Sequence, residues 1–247
     1  MPSAGPALPD LSPPQQFALL ARILAREGYS QGYHDALSGH MTYVQTDGTL
    51  LVNPLSIEWS QLQAGEVATI DRHGNQLAGP FEINPATTLH LAVHSARDDA
   101  RVTIHNHPRW ATIWADHARV PPAYDQTSAL FDGSITVVNE FEGTVEDRDI
   151  ADRVVAAMLD HPIALLAHHG VLVIGHSVEN ALTRALALEA RCRLAWHVEA
   201  LGSGARELPE KVASSIGDQI AKRDGAYPGL WTALVTRELR FDATVLA

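Results

Sequence analysis

The sequence predicts an α/β layered domain whose sheet is mixed but largely antiparallel, and three observations lead there. Segments with helical spacing alternate along the chain with segments of period-two or continuous apolar character. Several of the latter meet at tight turns, notably Asp47-Gly48 and Arg72-His73-Gly74-Asn75, so neighbouring strands pair as hairpins rather than through helical crossovers. Hydrophobic residues make up 46% of the 247 positions with no linker-like stretch between them, enough for one sizeable core and one domain.

Ser12-Pro13 is a helix-start signal, and Phe17, Leu20, Ala21 and Leu24 recur at helical spacing until Gly28, predicting a helix over residues 13–27. Met41 to Val52 forms a hairpin about Asp47-Gly48, and Val67 to Asp71 begins a second. After Asn84-Pro85, the spacing of Leu89, Ala92, Val93 and Ala96 predicts a helix over 86–97. A strand over 102–107 ends at Pro108, and a helical pattern resumes over 110–118. Further on come a strand at 135–138, a helix at about 147–160, strands at 163–167 and 171–174, and a long helix capped by Ser177 that reaches about Leu201. Residues 1–12, rich in proline, read as a flexible arm, 13–202 as the domain, and 203–247 as an extension packing on the domain or on a neighbouring subunit.

Composition narrows the class. The net charge is −11 and the basic residues are scattered, which argues against nucleic acid as a partner. No uncharged stretch reaches membrane-spanning length, so no membrane partner is expected. The only cysteine, Cys192, sits in an Ala- and Leu-rich helical pattern and reads as a buried apolar residue; the chain is expected in the cytoplasm.

Histidines carry the sharpest signal. In Val102-Thr103-Ile104-His105-Asn106-His107-Pro108, strand periodicity points His105 and His107 to one side and Val102, Ile104 and Asn106 to the other. Such a pair serves either as packed, hydrogen-bonded residues near a strand end or as two ligands of a metal. The apolar run Ile163 to Ala167 then delivers His168-His169-Gly170, where a third ligand is expected; a turn role suits His168 better than His169. Three neutral imidazoles would leave a divalent cation its full charge and open coordination positions. The other histidines lack convergent spacing, except that His40 sits in a Ser-Gly-His turn and His90 and His94 lie one helical turn apart before the His-Asn-His strand.

At these motifs the chain resembles the class II aldolase/adducin family. Ser38-Gly39-His40-Met41-Thr42, Leu51-Val52-Asn53-Pro54, the helix at 87–97 with His105-Asn106-His107, and His168-His169-Gly170 carry the likeness, which runs from about Phe17 to Leu201. It implies a class II aldolase-like three-layer fold, a mixed, largely antiparallel sheet between helices, assembled as a homo-oligomer, usually a tetramer, with active sites near subunit interfaces. It also implies that His105, His107 and His169 bind a divalent metal, with Zn, Mn, Co and Fe all compatible with imidazole.

The departures from the family pattern shape the expected chemistry. Family aldolases carry a Glu acid/base four residues before the histidine corresponding to His90; here that position is Ala86. Their phosphate-binding residues are also replaced, with His40, Leu55-Ser56 and Asn84-Pro85 in the nearest places. Decarboxylation needs an electron sink but no base, so the expected activity is metal-dependent decarboxylation of a hydroxylated, aromatic carboxylic acid, as in the branch of the superfamily that decarboxylates hydroxylated aromatic dicarboxylates. The expected proton donor is Tyr124 or Asp125, near the family's catalytic tyrosine, unless both merely form a turn after Pro121-Pro122; Glu140 and Glu142 are lesser candidates. His40, Ser56, His90 and Trp110 are the expected substrate contacts, Trp110 by stacking unless it, like Trp114 and Phe131, belongs to the core. Alternatives are an aldolase with a base from elsewhere, a non-haem Fe(II) oxygenase of an aromatic keto or hydroxy acid, and a non-catalytic adducin-like module.

Overall fold

A computed structural model of the chain describes residues 8–30, 35–139, 147–202 and 204–247; Glu140 and Glu142 lie outside them. In chain order the principal elements are α1 (Pro13–Arg26), α2 (Asp35–Ser38), β1 (His40–Val44), β2 (Leu50–Val52), β3 (Ala68–Ile70), β4 (Gln76–Ala78) and α3 (Thr87–Ala96). There follow β5 (Val102–Asn106), α4 (Arg109–Asp116), β6 (Ile135–Val138), α5 (Arg148–Met158), β7 (Ile163–Leu166), β8 (Gly170–Gly175), α6 (Val178–Ala200), α7 (Glu210–Ala221) and α8 (Leu230–Phe241).

The strands form one sheet in the order β4-β3-β2-β1-β5-β8-β7-β6. Every pairing is antiparallel except β6 with β7, which are joined through α5. The mixed, largely antiparallel α/β fold expected from the hairpins is therefore the fold observed. The Asp47-Gly48 turn works as its residues dictate: Gly48 has φ +86°, and the Asp47 carboxylate accepts the Thr49 N–H at 2.9 Å.

Strand periodicity divides the core between the two faces. On one, Met41, Leu51, Val102, Ile104, Ile163, Leu165, Val171 and Val173 pack with residues of α1, α4, α6 and α8. On the other, Ala164, Leu166, Leu172 and Ile174 meet Leu89, Ala92 and Val93 of α3 and residues of α5. Where β1 and β5 cross this second face the side chains turn polar, with His40, Thr42, Thr103 and His105 all buried. A sheet face that gives up apolar burial at its centre loses stabilisation of about 25 cal/mol per Å², so this stripe requires another use.

The segment after α6 packs on the domain. Trp231 and Val235 of α8 and Val245 join the first core, Glu238 is fully buried and accepts from Arg26 of α1 at 2.9 Å, and Asp242 accepts from Arg22 at 2.7 Å. Among the described residues no helix is long and apolar enough to cross a membrane.

Candidate metal centre

The polar stripe is built by strand register. β1 lies antiparallel to β5 with His40 opposite His105 and Thr42 opposite Thr103. Gly39, just before, is wedged against β5: a Cβ there would stand 2.7 Å from Asn106 Oδ1 and 2.9 Å from the Trp59 ring. Asn53 pins the same turn, accepting the Met41 N–H at 2.7 Å and donating to the Gly39 carbonyl at 3.1 Å. These bonds place His40 at the mouth of the second face.

β8 brings the third histidine. Leu166 pairs with Gly170, and in the turn between them His168 adopts φ +59° with its side chain exposed. That left-handed conformation suits asparagine-like turn residues, which is why His168 takes the turn and His169 turns inward. Gly170 must be glycine for the site to close: an added Cβ would lie 2.5 Å from the Asn106 carbonyl and 2.6 Å from His107 Cδ2. β5 ends at Asn106, so His107 stands just past the strand rather than within it.

Ring nitrogens of His105, His107 and His169 all lie within 4.8 Å of one another. The donor set fits a divalent cation, and one tautomer is already selected. The His105 Nδ1–H donates to the Val171 carbonyl at 2.9 Å, leaving Nε2 as a lone pair, the arrangement in which an outer carbonyl orients a ligating imidazole. Burial holds His105 well below the ordinary histidine value, helped by the neighbouring imidazoles, and burial with His107 brings His169 down to about 4. Both are therefore neutral at pH 7, as metal ligation requires.

These histidines line a cavity of about 340 Å³ that His40, Leu55 and Ala86 also border. Among its described lining residues there is no Asp or Glu, so nothing nearby substitutes for the carboxylate missing at Ala86. Of the expected substrate contacts, only His40 reaches this cavity. Ser56 is exposed and does not border it. His90 is 0% exposed with both ring nitrogens bonded, to His40 at 2.8 Å and to Thr42 at 2.8 Å, so it supports His40 instead of meeting ligand. Trp110 borders a different cavity of about 720 Å³, where its backbone N–H is tied to Glu189 at 2.9 Å and its ring lies 5.3 Å from that of Trp196.

The expected proton donors are also elsewhere in the protomer. The Tyr124 hydroxyl donates to Glu199 on α6 at 3.3 Å, and burial together with that carboxylate raises its pKa. Asp125 closes a turn, its carboxylate accepting the Ser128 N–H and hydroxyl, each at 2.7 Å. Neither borders the histidine cavity, so a role for either there requires a second copy of the chain. Sequence reading passed over Thr42, although its place two residues after His40 put it on the same strand face.

A mixed-sheet α/β domain with three imidazoles converging where its strands end defines a class of metal-competent domains. Residues 16–196 match the Class II Aldolase and Adducin N-terminal domain, and the chain belongs to that family. It is 27% identical over 207 residues to the 4-hydroxy-3-prenylphenylpyruvate oxygenase/4-hydroxy-3-prenylbenzoate synthase of Streptomyces roseochromogenus subsp. oscitans, covering 82% of this chain and 73% of that protein. It is likewise 27% identical over 217 residues to the 3,4-dihydroxyphthalate decarboxylase of Terrabacter sp. (strain DBF63), covering 83% and 88%. An aldolase II superfamily protein from Pseudomonas syringae, known as a crystal structure, superposes with a TM-score of 0.84 at 25% identity over 96% of this chain and 97% of that one.

Proposed function

We propose that this chain is a metal-dependent carbon–carbon lyase that removes carbon dioxide from a hydroxylated aromatic carboxylic acid, with His105, His107 and His169 as the ligands. The observation that carries this reading is a three-imidazole cluster in a cavity that lacks a carboxylate at Ala86. An aldol cleavage needs a base to take a proton, whereas loss of carbon dioxide leaves its electron pair behind and needs only a sink. A divalent cation bound by these residues supplies that sink as a Lewis acid. The chain's own part is to hold three imidazole donors in fixed orientation, to wall the site with Leu55 and Leu89, and to keep bulk water from a developing enolate or phenolate. Tyr124 or Asp125 of a neighbouring copy returns the proton to carbon, which makes the working unit a homo-oligomer, with four subunits as the family resemblance implies; its lone buried cysteine, Cys192, suits a cytoplasmic setting.

The similarity to the decarboxylase from Terrabacter sp. supports the lead reading. A second reading, a non-haem Fe(II) oxygenase, is favoured by the similarity to the Streptomyces roseochromogenus oxygenase, since the same ligand set accepts iron. Incubating metal-loaded protein with hydroxylated phthalates and benzoates, with and without oxygen, separates the two. Carbon dioxide release that persists without oxygen is expected; release only in its presence contradicts the lead reading in favour of the second.

A further inference from the structure

Behind the three-histidine cluster runs a line of buried and half-buried polar groups that no ligand of the cluster explains. His94 Nδ1 stands 2.8 Å from the Ala100 carbonyl, His94 Nε2 stands 2.7 Å from Thr42 Oγ1, Thr42 Oγ1 stands 2.8 Å from His90 Nδ1, and His90 Nε2 stands 2.8 Å from His40 Nδ1. Four side chains on α3 and β1 are thus joined end to end, from a backbone carbonyl to the cavity wall.

The direction of every bond follows from its first one. A carbonyl only accepts, so His94 donates from Nδ1. Burial lowers His94 to about 4, so above that range it is neutral and its Nε2 is an acceptor. Thr42 must then give its single hydroxyl proton to His94, which leaves its oxygen to accept the His90 Nδ1–H. Neutral His90 therefore accepts at Nε2, and His40 donates from Nδ1. His40, its Nδ1–H given to His90, ends the chain at Nε2 on the wall of the cavity, and no hydrogen-bond partner stands at that nitrogen among the described residues.

We infer that His94, Thr42 and His90 act as positioning residues that lock His40 in its Nδ1–H tautomer, so that His40 Nε2 offers the cavity a hydrogen-bond acceptor and selects ligands carrying a hydroxyl donor beside their metal-binding group. This deepens the proposed function and rests on its placing of ligand in the cavity. It gives the hydroxyl of a hydroxylated acid a second recognition element besides the cation. A methyl ether at the same position presents no proton and leaves Nε2 unpaired.

Two variants at Thr42 test it without relying on turnover. In Thr42→Val the His90 Nδ1–H would be buried with no acceptor, so His90 moves its proton to Nε2, donates to His40 Nδ1, and forces the proton of His40 to Nε2; Thr42→Ser keeps the hydroxyl. Nitrogen-15 spectra of zinc-loaded, histidine-labelled protein read these tautomers directly. The expected result is a protonated Nδ1 and bare Nε2 on His40 in wild type and Thr42→Ser, inverted in Thr42→Val. In parallel, the preference for salicylate over 2-methoxybenzoate in binding titrations falls about threefold to tenfold in Thr42→Val and is kept in Thr42→Ser. A wild-type His40 protonated at Nε2, or a tautomer and preference untouched by Thr42→Val, overturns the inference. If Thr42→Val fails to fold, the wild-type and Thr42→Ser spectra still decide the tautomer. Failure of decarboxylation with these tautomers intact would count against the proposed reaction alone.

Discussion

His40 and His105 face each other across the β1–β5 ladder, their ring centroids 4.7 Å apart, and each uses Nδ1 for a protein hydrogen bond. One ring is oriented by the Val171 carbonyl and the other by His90, so both turn Nε2 away from the protein partners that fix them. The same strand register thus sets a ligand nitrogen and an acceptor nitrogen side by side.

Closure of the site depends on Gly170. A Cβ added 2.5 Å from the Asn106 carbonyl meets backbone that cannot yield cheaply, so Gly170→Ala is expected to cost about 1–3 kcal/mol and to displace His107. Chemical denaturation checks the stability and metal titration the displacement. A variant with wild-type values in both would show that the β5–β8 approach is not needed.

The buried histidines make the metal-free protein acid-sensitive. His94 has its ordinary value of 6.5 when unfolded and about 4 when folded, so protons favour the unfolded chain once pH drops below 6.5. The stability present above 6.5 is lost progressively down to about 4, by about 3 kcal/mol for His94 alone, with losses of the same sign from His40 and His90. Urea unfolding of metal-free protein should give equal stabilities at pH 8 and 7.5 and a clear decline between 6.5 and 5. A flat profile across that interval would contradict the neutral, buried assignment.

Tyr124 lies on Glu199 and away from the cavity of its own protomer, so as proton donor it must serve a neighbour. Tyr124→Phe is expected to lower turnover about 10²-fold or more without loss of bound metal. Mixing Tyr124→Phe with His169→Ala subunits should restore part of the activity, because hybrid oligomers contain some sites with both residues intact. Mixtures as inactive as either parent would remove Tyr124 from the chemistry.

Much of this was legible in the chain because it depends on local periodicity. The period-two spacing that put His105 opposite in face to Ile104 and Asn106, and the Asp47-Gly48 hairpin, needed no tertiary knowledge. Of the two adjacent histidines, His168 takes the positive φ of the turn and His169 stands beside His105 and His107. What escaped depends on which strands become neighbours. Thr42 has no meaning until α3 lays His90 and His94 across β1, and no local pattern shows that Tyr124 and Trp110 fall outside the histidine cavity of their own protomer. The helices after residue 203 lay outside the predicted elements, although Ala213 and Ile220, and Trp231, Val235 and Glu238, recur at helical spacing and α7 is nearly as amphipathic as α1.

Metal content per chain tests the central claim most directly. Purified protein dialysed against zinc or manganese, freed of excess ion and analysed by elemental mass spectrometry, should hold one equivalent per chain, and His105→Ala, His107→Ala and His169→Ala should each fall to a small fraction of it while remaining folded. A wild-type chain that retains no metal, or single variants that retain the full equivalent, would contradict the assignment of these three imidazoles to one cation.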